Sequence, residues 1–276
     1  MITANLRITP DDWRDATLTT SITPAAGFEV TNTQNTIRSS VLKSADTTTM
    51  TVSATWPQSR VGSALYLFNH LLHGASVRAQ FYSDAGWSTP SIAFSDSGTV
   101  PALCYTTTAD RYSNSLGSKD PHLADSPYWL YFAETTYRSA KLTFSGTPSA
   151  VSYFQVGRIL GGRYFEAAIN PSYGMQLGEL DTGKSGRTEG GTKRGYPGES
   201  WPTLIGDLNG VSEDERTFWR DFMRTTKRST DFAVSVFPGD GTTLERDHTI
   251  NGTFSSLDAI GREVSRLTKR FQVEGC

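Results

Sequence analysis

At 276 residues the chain is long enough for about two domains, each able to bury a full core without disulfide or metal staples. Its 26 basic and 28 acidic residues leave a formal net charge of −2, so there is no broad electrostatic footprint for nucleic acid or an acidic membrane. Two cysteines, Cys104 and Cys276, cannot build a disulfide framework or a zinc site by themselves, and the sequence has neither a secretory start nor an apolar run of membrane-spanning length.

Charge density divides the chain: residues 1–155 carry 21 charged side chains and residues 156–276 carry 33. This predicts two units, 1–155 and 156–276, with different surfaces. In the first, Val77, Ala79 and Phe81 alternate with Arg78, Gln80 and Tyr82, and Ala140, Leu142 and Phe144 alternate with Lys141, Thr143 and Ser145. A period of two puts one set on a buried face and the other toward water. Tyr128–Thr135 is a more continuous aromatic run, as a strand covered on both faces would be. Gly, Pro and Asp clusters punctuate these runs, and no long helix is predicted before residue 156. The pattern is that of an antiparallel sandwich.

The second unit mixes strands with one helix, and its Gly-rich stretch, 174–198, predicts a mobile or assembly-ordered loop. Ser212-Glu-Asp-Glu215 is a capping box, in which the serine hydroxyl and the third-position glutamate each satisfy an orphan amide. It predicts a helix over about 212–227, with Phe218, Trp219, Phe222 and Met223 on one face and Arg224, Lys227 and Arg228 near its end. Strands are expected at Phe232–Phe237 and Leu267–Glu274, the latter with Leu267, Lys269, Phe271 and Val273 on one face. The expected fold class is therefore mostly β: a β-sandwich, then a β-rich α+β domain packed by one helix.

Few motifs carry chemistry. Gly178-Glu-Leu-Asp-Thr-Gly-Lys184-Ser185 matches the phosphate-binding loop formally, but no apolar strand precedes it and Gly186 to Gly191 cannot start a helix, so the match reads as coincidence. His70 and His73 form H-x-x-H without a nearby acidic third ligand and read as a loop or cap, and His122 and His248 stand alone. Asp11, Asp12 and Asp15 read as solvated caps, and Asn251-Gly252-Thr253 as a turn. Trp56, Trp87, Tyr128 and Trp129 are core by default, with Trp87 and Trp129 kept as candidates for stacking on a sugar. Neither a catalytic constellation nor a metal or cofactor motif is expected, so the reading is non-enzymatic.

Taken as a whole, the sequence resembles the distal tail (tail-tip or baseplate) proteins of tailed bacteriophages with long, non-contractile tails. The stretch from Ala64 to Tyr82, with Asn69-His70-Leu71 and Val77-Arg78, is similar to a region of their galactose-binding-like, discoidin-type jelly roll. Phe154-Gln-Val-Gly-Arg158-Ile-Leu-Gly-Gly162 looks like the strand by which they leave it. The acid-capped helix, Phe232–Phe237, Arg246–Phe254 and Phe271–Glu274 resemble, in order, their tail-tube-like domain. The resemblance implies a structural virion protein, made in the host cytoplasm, that forms a ring of six copies around the DNA channel. Its implied neighbours are the tail tube, tape measure and tail hub proteins, with no membrane or sequence-specific nucleic acid partner. In such a ring, Lys184, Arg187, Lys193 and Arg194 of the Gly-rich loop are the candidate subunit-interface residues. The alternatives are a carbohydrate-binding module that adheres to a host-surface glycan and a polysaccharide-degrading enzyme with a sandwich accessory domain.

Overall fold

The fold is taken from a computed structural model, which describes residues 5–37, 39–72, 74–92, 127–148, 151–171, 175–187, 191–196, 198, 200–238, 245, 248–255, 261–263 and 266–275. The molecule is mostly β, and its described residues form two antiparallel sheets, a short separate ribbon and one α-helix.

The first sheet runs in the order Leu42–Lys43, Gln155–Gly162, Met50–His70, Tyr128–Ser145, Ser76–Tyr82 and Pro90–Ile92, with Thr17–Thr20 added to the first part of Met50–His70. Two long strands give it its shape. Met50–His70 and Tyr128–Ser145 pair along most of their length, but their register slips between Thr55 and Arg60, next to Pro57. Beyond that irregularity the same two strands form a second layer, in which Met50–His70 also pairs with Gln155–Gly162. Met50, Val52, Leu142, Phe144, Val77 and Phe81 from one layer meet Leu65, Leu67, Phe132 and Ile159 from the other in a single core. The result is a sandwich of the jelly-roll type.

The second sheet is ordered Gln176–Asp181, Ser200–Val211, Arg266–Gly275, Thr249–Phe254, Phe232–Ser235, Arg7–Pro10 and Phe165–Glu166, with Gly261–Glu263 paired onto Arg266–Gly275. Among the described residues it is an open sheet, not a closed barrel. The helix Glu213–Thr226 packs on it. Ser212 Oγ accepts from Glu215 N at 3.2 Å, and Glu215 Oε2 accepts from Ser212 N at 2.8 Å, so the expected capping box is formed. Trp219 and Phe222 are buried against Phe232, Phe254 and Phe271.

Two expectations change here. The sheets are not divided at 155/156: Gln155–Gly162 belongs to the first, while Arg7–Pro10, from the start of the chain, lies inside the second between Phe232–Ser235 and Phe165–Glu166. Asn251-Gly252-Thr253 is not a turn but the middle of strand Thr249–Phe254. A Cβ on Gly252 would overlap the Glu274 carbonyl of the next strand, so this glycine is required by close backbone approach.

The strand expected to be covered on both faces is so covered over 128–132, while Ala133 and Glu134 are exposed. Tyr128 and Phe132 of Tyr128–Ser145 enter the sandwich core, whereas Trp129 and Tyr131 face Tyr66, Leu160 and Ala233 at the contact with the second sheet.

Candidate assembly interface

Within the stretch 174–198, expected as a loop, the described residues form an arm of paired strands. Gln176–Asp181 pairs with Ser200–Ile205 to form a stem, and Lys184–Arg187 pairs with Lys193–Tyr196 to form a tip. The partner strand Ser200–Val211 explains the stem: Leu204 and Leu208 lie in the core under the helix, and the residues before them, 200–203, extend beyond that core. Leu177 sits opposite Leu204 and Leu180 opposite Trp201, so the apolar pairing continues past the edge of the core. Stem and tip meet at a kink where a Cβ on Gly198 would overlap the backbone of Gly183, and Gly183 N donates to Asp181 Oδ1 at 2.6 Å. Only glycine lets the two strands cross so closely.

Every described residue from Gln176 to Arg187 is exposed. Leu177 and Leu180 are 44% and 42% exposed and Tyr196 is 66% exposed, values that set them apart from the buried apolar residues of both cores. A two-stranded ribbon standing alone is marginal in water. In addition, Gln176–Asp181 is the end strand of its sheet, and its outer backbone groups have no strand partner among the described residues. Such an edge is a template for another chain.

The four residues singled out in the sequence are brought together on the tip. Lys184 lies opposite Tyr196, Arg187 opposite Lys193 and Arg194 opposite Gly186. Lys184, Arg187 and Arg194 are exposed and make no ion pair among the described residues. Gly178 to Ser185, the formal phosphate-loop match, runs from stem strand to tip strand, and the next element is another strand. Among the described residues there is no helix N-terminus there to face a phosphate.

The two sugar-stacking candidates are separated. Trp129 is half-buried against the cluster of Tyr66, Phe68 and Leu160 between the sheets. Trp87 lies on the turn between Ser76–Tyr82 and Pro90–Ile92, at φ 56°. That turn is built by Asp84, whose carboxylate accepts from Gly86 N at 2.7 Å, Ser88 N at 3.1 Å and Thr89 N at 2.6 Å. These bonds, led by the one from Ser88 N, pull its pKa down to about 2. The Lys141 ammonium lies 5.0 Å from the centroid of the Trp87 ring and 5.5 Å from that of Tyr82. Trp56 is core: it is buried, packs on Trp13 and Tyr137, and its Nε1 donates to Asp12 O at 2.7 Å. His70 is buried, with Nδ1 accepting from Leu72 N at 3.3 Å, whereas His73, His122, Cys104 and Cys276 lie outside the described residues.

The sequence did not reveal the seam between the two sheets. Arg158, on the first sheet, points out of it and pairs bidentately with Asp231, Nε to Oδ2 at 2.9 Å and Nη2 to Oδ1 at 2.8 Å. Its Nη2 also donates to Asp11 Oδ2, and its Nη1 to the Thr33 carbonyl at 3.3 Å. Asp11 follows the first strand of the second sheet, so it is a buried partner of Arg158 and not the solvated cap expected. Two buried carboxylates share one guanidinium. Burial raises the Asp11 pKa to about 7 despite Arg158, with the Asp231 charge adding to the rise.

Nearby, Tyr66 Oη donates to Tyr131 Oη at 3.1 Å, which donates to buried Glu245 Oε1 at 3.2 Å. Desolvation raises Tyr66 to about 12 and pushes Tyr131 above the ordinary tyrosine range. The Arg7 guanidinium lies 4.5 Å from the Tyr131 ring centroid and 4.2 Å from that of Tyr164, and pairs with Glu166 at 2.9 Å. The readable signal for the Arg158 cluster was an arginine inside the apolar run 156–162. A charge in a buried strand needs a buried partner.

Among the described residues no group of three or more His, Cys, Asp or Glu is placed to hold a metal ion, and no helix is long and apolar enough to cross a membrane. No protein-family model matches the chain, and no curated protein does. Among solved structures it is similar to chitosan-binding module 1 of a chitosanase/glucanase from Paenibacillus sp. IK-5, at 13% identity and a TM-score of 0.40 over 55% of this chain and 97% of that module. It is similar to a putative alpha-L-fucosidase from Bacteroides thetaiotaomicron at 8% identity and a TM-score of 0.41, over 55% of this chain and 28% of that one. The lectin binding domain of lectinolysin, solved with Lewis b, matches at 9% identity and a TM-score of 0.37, over 56% of this chain and 98% of that domain. These likenesses assign no ligand to this chain.

Proposed function

We propose that the chain is a structural assembly protein, a ring-forming component of the tail tip of a long-tailed bacteriophage. The reading is carried by the exposed arm, a ribbon that leaves the second sheet beside an unpaired strand edge and presents apolar and basic side chains with no core beneath them. Copies that close a ring cover such surfaces: each arm meets the next subunit, and cyclic symmetry leaves no end unpaired. The ring surrounds the DNA channel and joins the tail tube to the distal tip. The role is architectural, without catalysis. Native mass spectrometry of the purified chain and imaging of intact virions test this. The expected result is a closed ring of small copy number at the tail end, lost when residues 183–198 are replaced by a two-residue turn. Normal tails built by that shortened protein would overturn the role given to the arm.

A second reading, adhesion to a host-surface glycan by the first sandwich, is favoured by the Trp87 turn. A tryptophan held at positive φ on an Asp84-anchored turn, beside Tyr82 and Lys141, is the kind of strained, preorganised position that recognition sites use. Glycan-array binding by the whole chain that disappears with Trp87→Ala supports it, and an array without signal above background rejects it.

A further inference from the structure

The arm is electrically polarised along its length. Its stem strand carries Glu179 and Asp181, which share one face by their spacing of two, and no basic residue. Its tip carries Lys184, Arg187 and Arg194, with Lys193 on the same ribbon. The two ends are held apart by the kink at Gly183 and Gly198, and neither the stem carboxylates nor Lys184, Arg187 and Arg194 form ion pairs within the chain among the described residues. The stem's outer strand, six residues from Gln176 to Asp181, is also the edge of the sheet, without a strand partner among the described residues. The tip strands, Lys184–Arg187 and Lys193–Tyr196, are four residues each and fit within that edge.

We infer that the basic tip of one copy's arm docks along the acidic outer edge of the next copy's stem, a head-to-tail contact between copies of this chain that presupposes the ring-forming reading above. Two features select this occupant. The edge offers backbone donors and acceptors that only another extended chain can match, and its charge is opposite to that of the tip. A contact between two different surfaces of the same chain is heterologous, the class that generates rings when the rotation closes. Charge at its rim governs encounter and register, so assembly weakens as salt rises.

A charge-exchange experiment on the whole chain tests this by native mass spectrometry and sedimentation at low and high salt. The tip variant is Arg187→Glu with Arg194→Glu. The stem variant is Glu179→Lys with Asp181→Asn, which keeps an acceptor for Gly183 N. Each alone is expected to weaken ring assembly by about tenfold at low salt, and the two combined to recover most of the loss. Circular dichroism and thermal melting of the unassembled protein verify that each variant is folded. If either variant assembles like the parent, or if the combination recovers nothing, the tip-to-stem contact is wrong while the ring reading stands. If the parent forms no ring in solution or in virions, the ring reading falls and this contact with it. If the tip variant loses salt-dependent binding of a duplex DNA probe with assembly untouched, the tip serves a phosphate backbone and not a sibling stem.

Discussion

The seam and the arm use the same residue types in opposite ways. In the seam, Arg158, Asp11 and Asp231 are removed from water and meet only one another and backbone, so each is fixed by what the others leave unsatisfied. On the arm, Lys184, Arg187 and Arg194 stand in water with no ion-pair partner among the described residues. Buried charge of this kind is costly unless it is matched, which makes the relation between the two sheets specific. Exposed charge costs the fold almost nothing and remains available to a partner. The seam is therefore where stability should be sensitive and the arm where assembly should be.

Removing the guanidinium gives the largest effect. Arg158→Met strands two buried carboxylates and should cost about 3–5 kcal/mol in urea denaturation. Adding Asp11→Asn and Asp231→Asn should return part of it, and a loss under 1 kcal/mol in the single variant would mean that water reaches the seam.

The next contrast is in pH. Because the folded pKa of Asp11 lies near 7, above its unfolded value of 3.8, the stability it contributes is complete below about pH 4 and is lost as pH rises through about 7. Asp12, raised to about 6 by burial, acts in the same direction. Asp11→Asn keeps the site neutral at every pH, so melting temperature should fall less between pH 4 and 7 than in the parent. An unchanged slope would assign the dependence elsewhere.

Tyr131→Phe removes the hydroxyl that links Tyr66 to Glu245 and should cost about 1–3 kcal/mol, read as a shift in urea midpoint with unchanged slope. A variant as stable as the parent would show that the link is idle. The smallest effect belongs to the arm: Lys184→Ala with Arg187→Ala should change monomer stability by no more than about 0.5 kcal/mol. A larger loss would mean that the tip folds back on its own subunit and would erase the contrast.

Sequence patterns carried the local structure well. Alternation around Val77–Phe81 and Ala140–Phe144, the Ser212/Glu215 box and the Phe218–Met223 face all depend on near neighbours, and the structure keeps them. The long-range features were silent. Asp11 looks like any polar residue in a turn until strand Arg7–Pro10 carries it to Arg158, and nothing local in 174–198 separates a glycine-rich loop from a ribbon whose glycines serve a strand crossing. The basic residues of the arm were legible as a group because they are close in sequence. The acidic stem was read only as part of a failed phosphate motif.

The placement of Arg7–Pro10 bears on how this polypeptide is made. Ile8 pairs with Phe165 and Thr9 with Ala233, so this strand is flanked on both sides only by segments far later in the chain. The sandwich, closed by Gln155–Gly162, can form while that segment is still waiting. The second sheet, by contrast, is complete only once Arg7–Pro10 has paired with Phe232–Ser235, a non-local and therefore slow step.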